Sequence, residues 1–405
     1  MCSTIVCAGT PGRLCVPARR VKRHGNYAGP SPHARPDANA SPILRRMSGI
    51  RNFMLRAATL LVSFALMALV GEIIVRVAFK DLPDRSVLYP RYQTEYHYGR
   101  YTLRGIRPHS QFWHTSIDGS WEFVTNNRGF RDTRDFPYAK PAGTLRVLSL
   151  GDSHTQGYEV RQEATFSAVL ERYLRSHGVR AEVLNAGVSG YSTAEELAFL
   201  ENEGYRYQPD VVVVAFYAND FEDNLKADLF GLDKGRLVEH KHEHLPGVSI
   251  QKVIYSVPGA RWLSENSYFY SLLLNSMWEY FKTRLAHSAH ATEYAIATTS
   301  ASSYEVDLAV ALMERMQRFC REHGMRLIVV DIPSAGKAYR FADSLPSAAQ
   351  RALQAQQIEY VSSHGLFADY DGAVPLHVPH GQQHISEFSH AAIGVELGRR
   401  IARAP

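Results

Sequence analysis

The chain of 405 residues has only four cysteines, and their positions exclude a disulfide framework for most of it. Cys2, Cys7 and Cys15 lie near the N-terminus, which leaves Cys320 alone in the rest of the sequence. A single cysteine cannot pair within the body of the chain. We therefore expect a hydrophobic core to stabilise the body, with Cys320 on the apolar face of a helix rather than acting as a nucleophile.

The sequence also lacks a strong charge of one sign outside its N-terminal segment. Lys and Arg total 45 and Asp and Glu total 40, for a net charge of +5. Residues 1–56 hold ten basic residues and one acidic residue, a net of +9, so the remainder carries about −4. A basic tail before a mildly acidic body does not favour a nucleic-acid partner.

The N-terminal segment has no hydrophobic periodicity. Residues 1–53 form a basic tail rich in Arg, Pro, Ala and Ser, a composition typical of disorder. A second interpretation is that translation starts at Met47, so that the preceding residues do not belong to the protein.

One long apolar run follows the tail. Residues 57–71 contain no charge, and residues 54–79 are long enough to cross a bilayer core, which takes roughly 20 residues. Glu72 and Arg76 are four apart and are expected to pair on one helix face near the interface. A cleaved signal peptide is the competing interpretation. Because no small-x-small cleavage site follows the run, we favour an uncleaved signal anchor.

The charges before this run predict its orientation. Four arginines precede it: Arg45, Arg46, Arg51 and Arg56. The positive-inside rule keeps such residues in the cytoplasm. We therefore expect a single-pass protein of the cytoplasmic (inner) membrane, with its catalytic domain in the periplasm.

The body divides into an extension and a domain of alternating strands and helices. Residues 80–144 are interpreted as β-rich or irregular, and NNRGFRD at 126–132 indicates a turn. Residues 145–405 carry near-continuous apolar runs separated by helical spacing, which predicts a parallel sheet covered on both sides. The four clearest runs are LRVLSL, AEVLNAG, VVVVAFYA and RLIVVDIP. We expect a three-layer α/β/α fold of flavodoxin-like type, with an insertion at about 222–303 that serves as a lid, a substrate-binding element or an extra helical layer.

Polar residues follow the predicted strands. Gly-Asp-Ser at 151–153 ends the first, NAGVSG at 185–190 the second and YAND at 217–220 the third, while His384 precedes the last helix. The carboxyl ends of parallel strands meet at one edge of a sheet. Alone, Ser153 is either a nucleophile or a helix cap. In this order, the four segments resemble the blocks of the SGNH, or GDSL, hydrolase family over about residues 145–400.

The resemblance implies the SGNH-hydrolase fold and a serine esterase site. It assigns the nucleophile to Ser153, which needs a base to take its proton, and the base to His384. It assigns the oxyanion hole to the backbone N–H groups of Ser153 and Gly190 and to the side-chain amide of Asn219. We expect neither a cofactor nor a metal.

The chain departs from the family pattern at three positions. His154 stands where the name-giving motif has Leu, and Tyr217 stands where the third block usually has Gly. The family usually has an Asp three residues before the catalytic His to orient the imidazole, and here that position is Gly381. The third departure leaves the orientation of His384 open.

Several side chains are candidates for that missing role. They are Gln382, His380, Asp371 and Asp369, and the alternative is a Ser–His dyad. Asp152 and Asp220 are further supporting candidates. The histidines of HVPHGQQH (377–384) and HKHEH (240–244) could also bind a metal, but His384 has its own family role and the second cluster is more typical of a solvated loop.

Three hypotheses for the function follow. The first is a membrane-anchored serine esterase or O-acyltransferase acting on ester groups, O-acetyl above all, of a cell-envelope or exported glycan. A lipid esterase or lipase is the second. The third is a non-catalytic glycan-binding or assembly protein that kept the SGNH fold and lost the orienting Asp.

Overall fold

The computed structural model describes residues 42–78, 88, 93–240, 246–288, 301–336, 340–380 and 384–402. The strands are β1 Gln93–Tyr98, β2 Tyr101–Ile106, β3 Gln111–Ser116, β4 Gly119–Val124, β5 Leu145–Gly151, β6 Ala181–Asn185, β7 Val211–Phe216, β8 Phe230–Asp233, β9 Arg236–Glu239, β10 Arg326–Asp331, β11 Ser334–Ala335, β12 Phe341–Ala342 and β13 Glu359–Val361. The helices are α1 Pro42–Ala78, α2 Ser153–Gln156, α3 Phe166–Ser176, α4 Thr193–Asn202, α5 Asp220–Ala227, α6 Pro246–Ser256, α7 Ala260–Asn266, α8 Tyr268–Ser288, α9 Ser303–Glu322, α10 Ser347–Ala355, α11 Ser363–Leu366 and α12 Glu387–Ala402.

A five-stranded parallel sheet forms the centre of the body. Its strand order is β13-β10-β7-β5-β6, and every neighbouring pair is parallel. Val211 pairs with Val147 on one side and with Arg326 on the other. The four predicted strands are all in this sheet, whereas β13 was not predicted because it is only three residues long.

Helices cover both faces of the sheet, as the alternation of side chains along β7 shows. Val212 and Val214 belong to a core shared with α4, α9 and α10. Val211 and Val213 belong to a second core shared with α3 and α12. Cys320 lies in the first core, fully buried, and burial raises the pKa of its thiol to about 12. The predicted three-layer α/β/α fold is therefore confirmed.

The segment before the sheet folds into two β-hairpins. Strands β1 and β2 pair antiparallel, as do β3 and β4. The hairpins bury one side against the body: Leu103, Phe112 and Phe123 are part of the core. The turn interpretation of residues 126–132 agrees with the structure, because the Asn126 side-chain oxygen accepts from the backbone N–H groups of Arg128 and Phe130.

The apolar run forms the helix α1. The chain divides into two compact units at Ser63 and Phe64, within this helix. In the second unit, Nε of Arg76 lies 2.7 Å from Oε1 of Glu72, the pairing that their spacing predicts.

Candidate active site

The segment after β5 places Ser153 at the start of a short helix. Gly151 ends the strand with φ +150°, and a Cβ atom there would lie 2.0 Å from Oγ1 of Thr155, so only glycine fits. Asp152 is the N-cap of α2, because its Oδ1 accepts from the backbone N–H of His154 at 2.8 Å. Asp152 therefore supplies the cap, and the Ser153 hydroxyl is left for another role.

Ser153, His384 and Glu159 form a chain of hydrogen bonds. Oγ of Ser153 lies 2.9 Å from Nε2 of His384. Nδ1 of the same imidazole lies 3.1 Å from Oε2 of Glu159. Nδ1–H donating to the carboxylate leaves Nε2 free to accept from the hydroxyl, which is the tautomer that a general base requires.

Glu159 was not among the residues that we considered for orienting His384. Its side chain is fully buried. Its backbone has φ +58°, in the left-handed region that glutamate adopts rarely and at a cost of about 1–2 kcal/mol. Such a conformation concentrates at functional sites. No spacing rule in the sequence indicates Glu159, because its proximity to His384 comes from the tertiary fold.

The residues that we did consider have other surroundings. Nδ1 of His380 lies 2.9 Å from Asp118. Asp371 accepts from the backbone N–H of Ala373, and Asp369 is exposed. Gly381 and Gln382 lie outside the described residues. A carboxylate faces Nδ1 of His384, which weighs against the Ser–His dyad, and the catalytic roles stay predictions.

An imidazole ring and an aromatic ring pack against His384. The ring centroid of His384 lies 4.9 Å from that of His154 and 5.1 Å from that of Tyr158. Tyr217 packs against His154, with ring centroids 4.1 Å apart. Two of the departures from the family pattern, His154 and Tyr217, therefore contact each other and form one wall of the site.

His154 has a fixed protonation state in this wall. Burial, with a further contribution from His384, lowers the pKa of His154 well below its usual value. Its Nδ1 faces the backbone N–H of Ile385 at 3.3 Å, and a neutral imidazole can accept there. His154 thus contacts the chain segment that carries His384 without adding a second charge.

Asn219, a predicted oxyanion donor, contacts the segment before Ser153. Its amide nitrogen lies 3.4 Å from Oδ2 of Asp152 and 3.0 Å from Oδ2 of Asp223. Gly190 has φ +76°, and its carbonyl accepts from Nη2 of Arg104 in β2. The oxyanion-hole assignment stays a prediction for both residues.

Three buried carboxyl groups near this part of the chain interact electrostatically with one another. Burial raises the pKa of Asp152 to about 6 and raises those of Asp220 and Glu196 well above their usual values. Asp220 also accepts from the backbone N–H of Tyr217 at 2.9 Å. Asp152 and Asp220 therefore shape the loops around the site, as helix cap and turn residue.

Arg131 holds the loop that carries Glu159. Its guanidinium donates from Nη1 to the carbonyls of Gln156 and Gly157, and from Nη2 to that of Val160. Burial lowers the pKa of Arg131 to about 9, so the group stays charged at neutral pH. A Cβ atom at Gly157, where φ is +83°, would lie 2.6 Å from Nη1 of Arg131. The turn signal at 126–132 gave no indication of this role.

Among the described residues, the histidines considered as metal ligands do not converge. Nε2 of His377 lies 2.7 Å from the carbonyl of Pro333, and His380 contacts Asp118. In the other cluster, Nδ1 of His240 lies 2.8 Å from Asp228. His242 and His244 lie outside the described residues.

Comparison with known proteins identifies the class to which this fold and site belong. The model of the GDSL-like lipase/acylhydrolase family matches residues 149–392, which is more than half of the chain. The chain belongs to this family. The match includes Ser153, Glu159 and His384, and the family resemblance deduced from the four sequence segments is confirmed.

Individual relatives are more distant. An arylesterase of Vibrio mimicus is 35% identical over 75 residues, which are 18% of this chain and 38% of that protein. The chain thus spans well under half of that relative. A lipase/acylhydrolase from Enterococcus faecalis is 17% identical, with 64% of this chain and 95% of that one covered at a TM-score of 0.37. A catalytic mutant of an acetylxylan esterase from Geobacillus stearothermophilus is 13% identical, with the same coverages and TM-score.

Proposed function

We propose that the chain is a serine esterase or O-acyltransferase in which Ser153, His384 and Glu159 form the catalytic triad. The observation that supports this most strongly is the continuous hydrogen-bond chain from the serine hydroxyl through the imidazole to a buried carboxylate. A helix-capping serine would not need a histidine and a buried acid aligned behind it. Family membership supports the same chemistry.

In the first half of the reaction, Oγ of Ser153 attacks the carbonyl carbon of the ester. Its proton passes to Nε2 of His384, and the Glu159 carboxylate stabilises the resulting imidazolium through Nδ1–H. The negative charge on the carbonyl oxygen is stabilised by the proposed donors, the N–H groups of Ser153 and Gly190 and the amide of Asn219. The tetrahedral intermediate then collapses, and the leaving alcohol takes the proton from His384.

In the second half, the acyl group leaves Ser153. His384 removes a proton from the attacking hydroxyl as its oxygen adds to the acyl carbon. The second tetrahedral intermediate then collapses, and His384 returns the proton to Oγ of Ser153. Water as the attacking group gives an esterase, whereas an acceptor hydroxyl on a glycan gives an O-acyltransferase. The same three residues serve both outcomes, so the acceptor decides between them.

The proposed substrate is an O-acylated, principally O-acetylated, glycan of the cell envelope. Its support is the combination of an esterase site with a candidate membrane anchor whose arginines lie before the apolar run. A lipid ester is the second candidate, since it too is available at a membrane. The non-catalytic alternative depended on the absence of an orienting acid, and the position of Glu159 weighs against it.

The proposed location is the periplasmic side of the cytoplasmic membrane. Among the described residues, Gly49–Ala78 is one helical segment that is long and apolar enough to span a bilayer, and most of its large apolar side chains are exposed. An anchor requires such exposure, because lipid and not protein surrounds it. A reporter fused after Phe79 should be active only outside the cytoplasm, and cytoplasmic activity would overturn this topology.

The enzymatic proposal is tested with the full chain purified in detergent. The parent and Ser153→Ala are compared for hydrolysis of p-nitrophenyl acetate. Hydrolysis that survives in Ser153→Ala would contradict the assignment of the nucleophile. Acetate release from an O-acetylated envelope polysaccharide, compared with fatty-acid release from phospholipid, then decides between the glycan and the lipid substrate.

A further inference from the structure

The helices α6, α7 and α8 expose an unusual amount of apolar surface. The exposed side chains, which we call the α6–α8 face, are Val253, Val257, Trp262, Leu273, Met277 and Tyr280. Val253 is 68% and Trp262 64% exposed. Half of the large exposed apolar side chains described after α1 belong to this face, although α6–α8 are a small part of the body. Such a patch marks a contact with a partner.

The spacing of the exposed residues in α8 shows that this helix presents one side. Leu273, Met277 and Tyr280 are spaced i, i+4 and i+7 along α8. Val253 lies in the last turn of α6, and Val257 directly follows that helix. Buried residues such as Gln251, Ala260, Ser264 and Ser271 lie on the other sides of the helices. The α6–α8 face is therefore an outer surface that is distinct from the packed side.

The packed side rests on the two hairpins. Nη2 of Arg261 donates to the carbonyl of Gln111 in β3 at 2.9 Å. Nε2 of Gln251 lies 3.4 Å from Oε1 of Gln93 in β1. These contacts attach the helices to the catalytic body.

The end of α1 joins the start of α8. Glu72 accepts from the hydroxyl of Ser267 at 2.8 Å and from the backbone N–H groups of Tyr268 and Phe269 at 3.2 and 3.0 Å. A carboxylate at a helix N-terminus neutralises the unpaired N–H groups and the positive end of the helix dipole. Gly71 lies against the Phe269 ring, where a Cβ atom would be 2.7 Å from the ring carbons.

These contacts place the start of α8 where the uncharged run ends. The run covers residues 57–71, and Glu72 is the next residue. If α1 spans a bilayer, Glu72 lies at the outer boundary of the hydrocarbon, and the N-terminus of α8 lies at the same level. The α6–α8 face then begins beside the lipid headgroups.

We infer that the α6–α8 face lies in the outer headgroup and acyl-chain boundary of the bilayer that α1 spans. Trp262 and Tyr280 are the residue types enriched at this boundary, and the exposed Lys252 suits the anionic headgroups above it. The partner is the phospholipid surface itself. This inference rests on the proposed anchoring by α1 and adds a second point of contact, which fixes the catalytic body against the membrane.

The experiment uses the full chain with one reporter position at a time. Leu273→Cys carries a bimane fluorophore in a background with Cys2, Cys7 and Cys15 changed to Ser, while Cys320 is buried. Val374→Cys is the matched control, because Val374 is 46% and Leu273 47% exposed. Both proteins are reconstituted into vesicles of phosphatidylethanolamine and phosphatidylglycerol that contain nitroxide-labelled lipid. Hydrolysis of p-nitrophenyl acetate by each labelled protein checks that the fold is intact.

We expect the lipid nitroxide to quench bimane at position 273 several-fold more strongly than at position 374. Equal quenching at both positions would overturn the inference. Shielding of the bimane at position 273 from water that depends on protein concentration and not on lipid would also overturn the inference. The face would then contact a second copy of the chain. Alkaline carbonate extraction distinguishes this inference from the proposed anchoring. If the chain stays in the membrane but bimane is not quenched, only the α6–α8 contact is wrong. If the chain is released from the membrane, both the anchor and this inference are wrong.

Discussion

Nδ1 of His384 lies 3.1 Å from Oε2 of Glu159, a carboxylate that is 225 residues away in the sequence. Glu159 follows Ser153 by only six residues, so the segment after β5 carries both the proposed nucleophile and the proposed acid. The family pattern places the acid three residues before the histidine, on the same segment of the chain as the histidine. In this chain the segment after β5 carries Ser153 and Glu159 of the proposed triad, and the segment before α12 carries His384.

Replacing the acid tests this arrangement. Glu159→Gln keeps the size of the side chain but removes the charge that stabilises the imidazolium and fixes its tautomer. We expect kcat for p-nitrophenyl acetate to fall on the order of a thousandfold, up to about ten-thousandfold, with little change in KM. The matched control is Glu163→Gln in the same loop, whose side chain is 67% exposed. If the control loses as much activity as Glu159→Gln, the acid assignment is wrong.

The nucleophile and the base should act as one unit. Ser153→Ala and His384→Ala should each lower kcat on the order of a millionfold, and the double variant should lose no more than either single variant. Steady-state rates of the three proteins measure this directly. A mild effect of His384→Ala would assign the base to another residue, and additive losses would mean that the two residues act independently.

Arg131 should act on catalysis through the position of Glu159. Arg131→Lys keeps a charge but cannot donate to the carbonyls of Gln156, Gly157 and Val160 together. We expect about a hundredfold loss in kcat with KM nearly constant, because a displacement of about 1 Å at the reacting groups has effects of this size. Stability should also fall, since a buried cation loses hydrogen bonds.

A double-mutant cycle distinguishes positioning from a purely structural role. If Arg131 acts through Glu159, Arg131→Lys should have little further effect on kcat in a Glu159→Gln background. Its effect on the free energy of unfolding should persist in that background. Equal losses of kcat in both backgrounds would show that Arg131 does not act through the acid.

His390 should make stability depend on pH. Nδ1 of His390 accepts from the backbone N–H of Phe166 at 3.0 Å, and burial lowers the pKa of His390 to about 3. Between about pH 3 and 6.5 the unfolded chain binds a proton at this position and the native chain does not, so stability rises with pH across that window.

His390→Asn keeps an acceptor near the Nδ1 position and removes the titration. Urea unfolding at pH 4, 5, 6 and 7 should show a shallower slope of stability against pH than in the parent, by up to about 1.4 kcal/mol per pH unit. An unchanged slope would mean that His390 is already protonated in the folded protein.

The sequence alone predicts four of the five strands of the sheet but does not predict the proposed acid, and the reasons are physical. Strands such as β7 are buried on both faces, so an uninterrupted apolar run identifies them. The short strand β13 has no such run. Ser153 can be predicted because it directly follows a strand, and His384 because it lies in the last of the four family segments, before the last helix.

No sequence pattern of this kind identifies Glu159 as the proposed acid. Its role depends on a left-handed backbone conformation and on a loop held by Arg131, and both are tertiary properties. The residue types at 126–132 favour a turn, which the structure has, but they do not reveal that the last arginine of that turn reaches the catalytic loop. The family pattern fixes only where the acid usually lies in the chain, so the glycine at position 381 gives no indication of Glu159.

Covalent labelling of the nucleophile tests the central claim most directly. The full chain is treated with a fluorophosphonate, digested and analysed by mass spectrometry, with Ser153→Ala, Glu159→Gln and Glu163→Gln treated in parallel. We predict a single label on Ser153 in the parent, equally fast labelling in Glu163→Gln, much slower labelling in Glu159→Gln and none in Ser153→Ala. Labelling of another residue in the parent, or undiminished labelling of Ser153 in Glu159→Gln, would contradict the proposed triad.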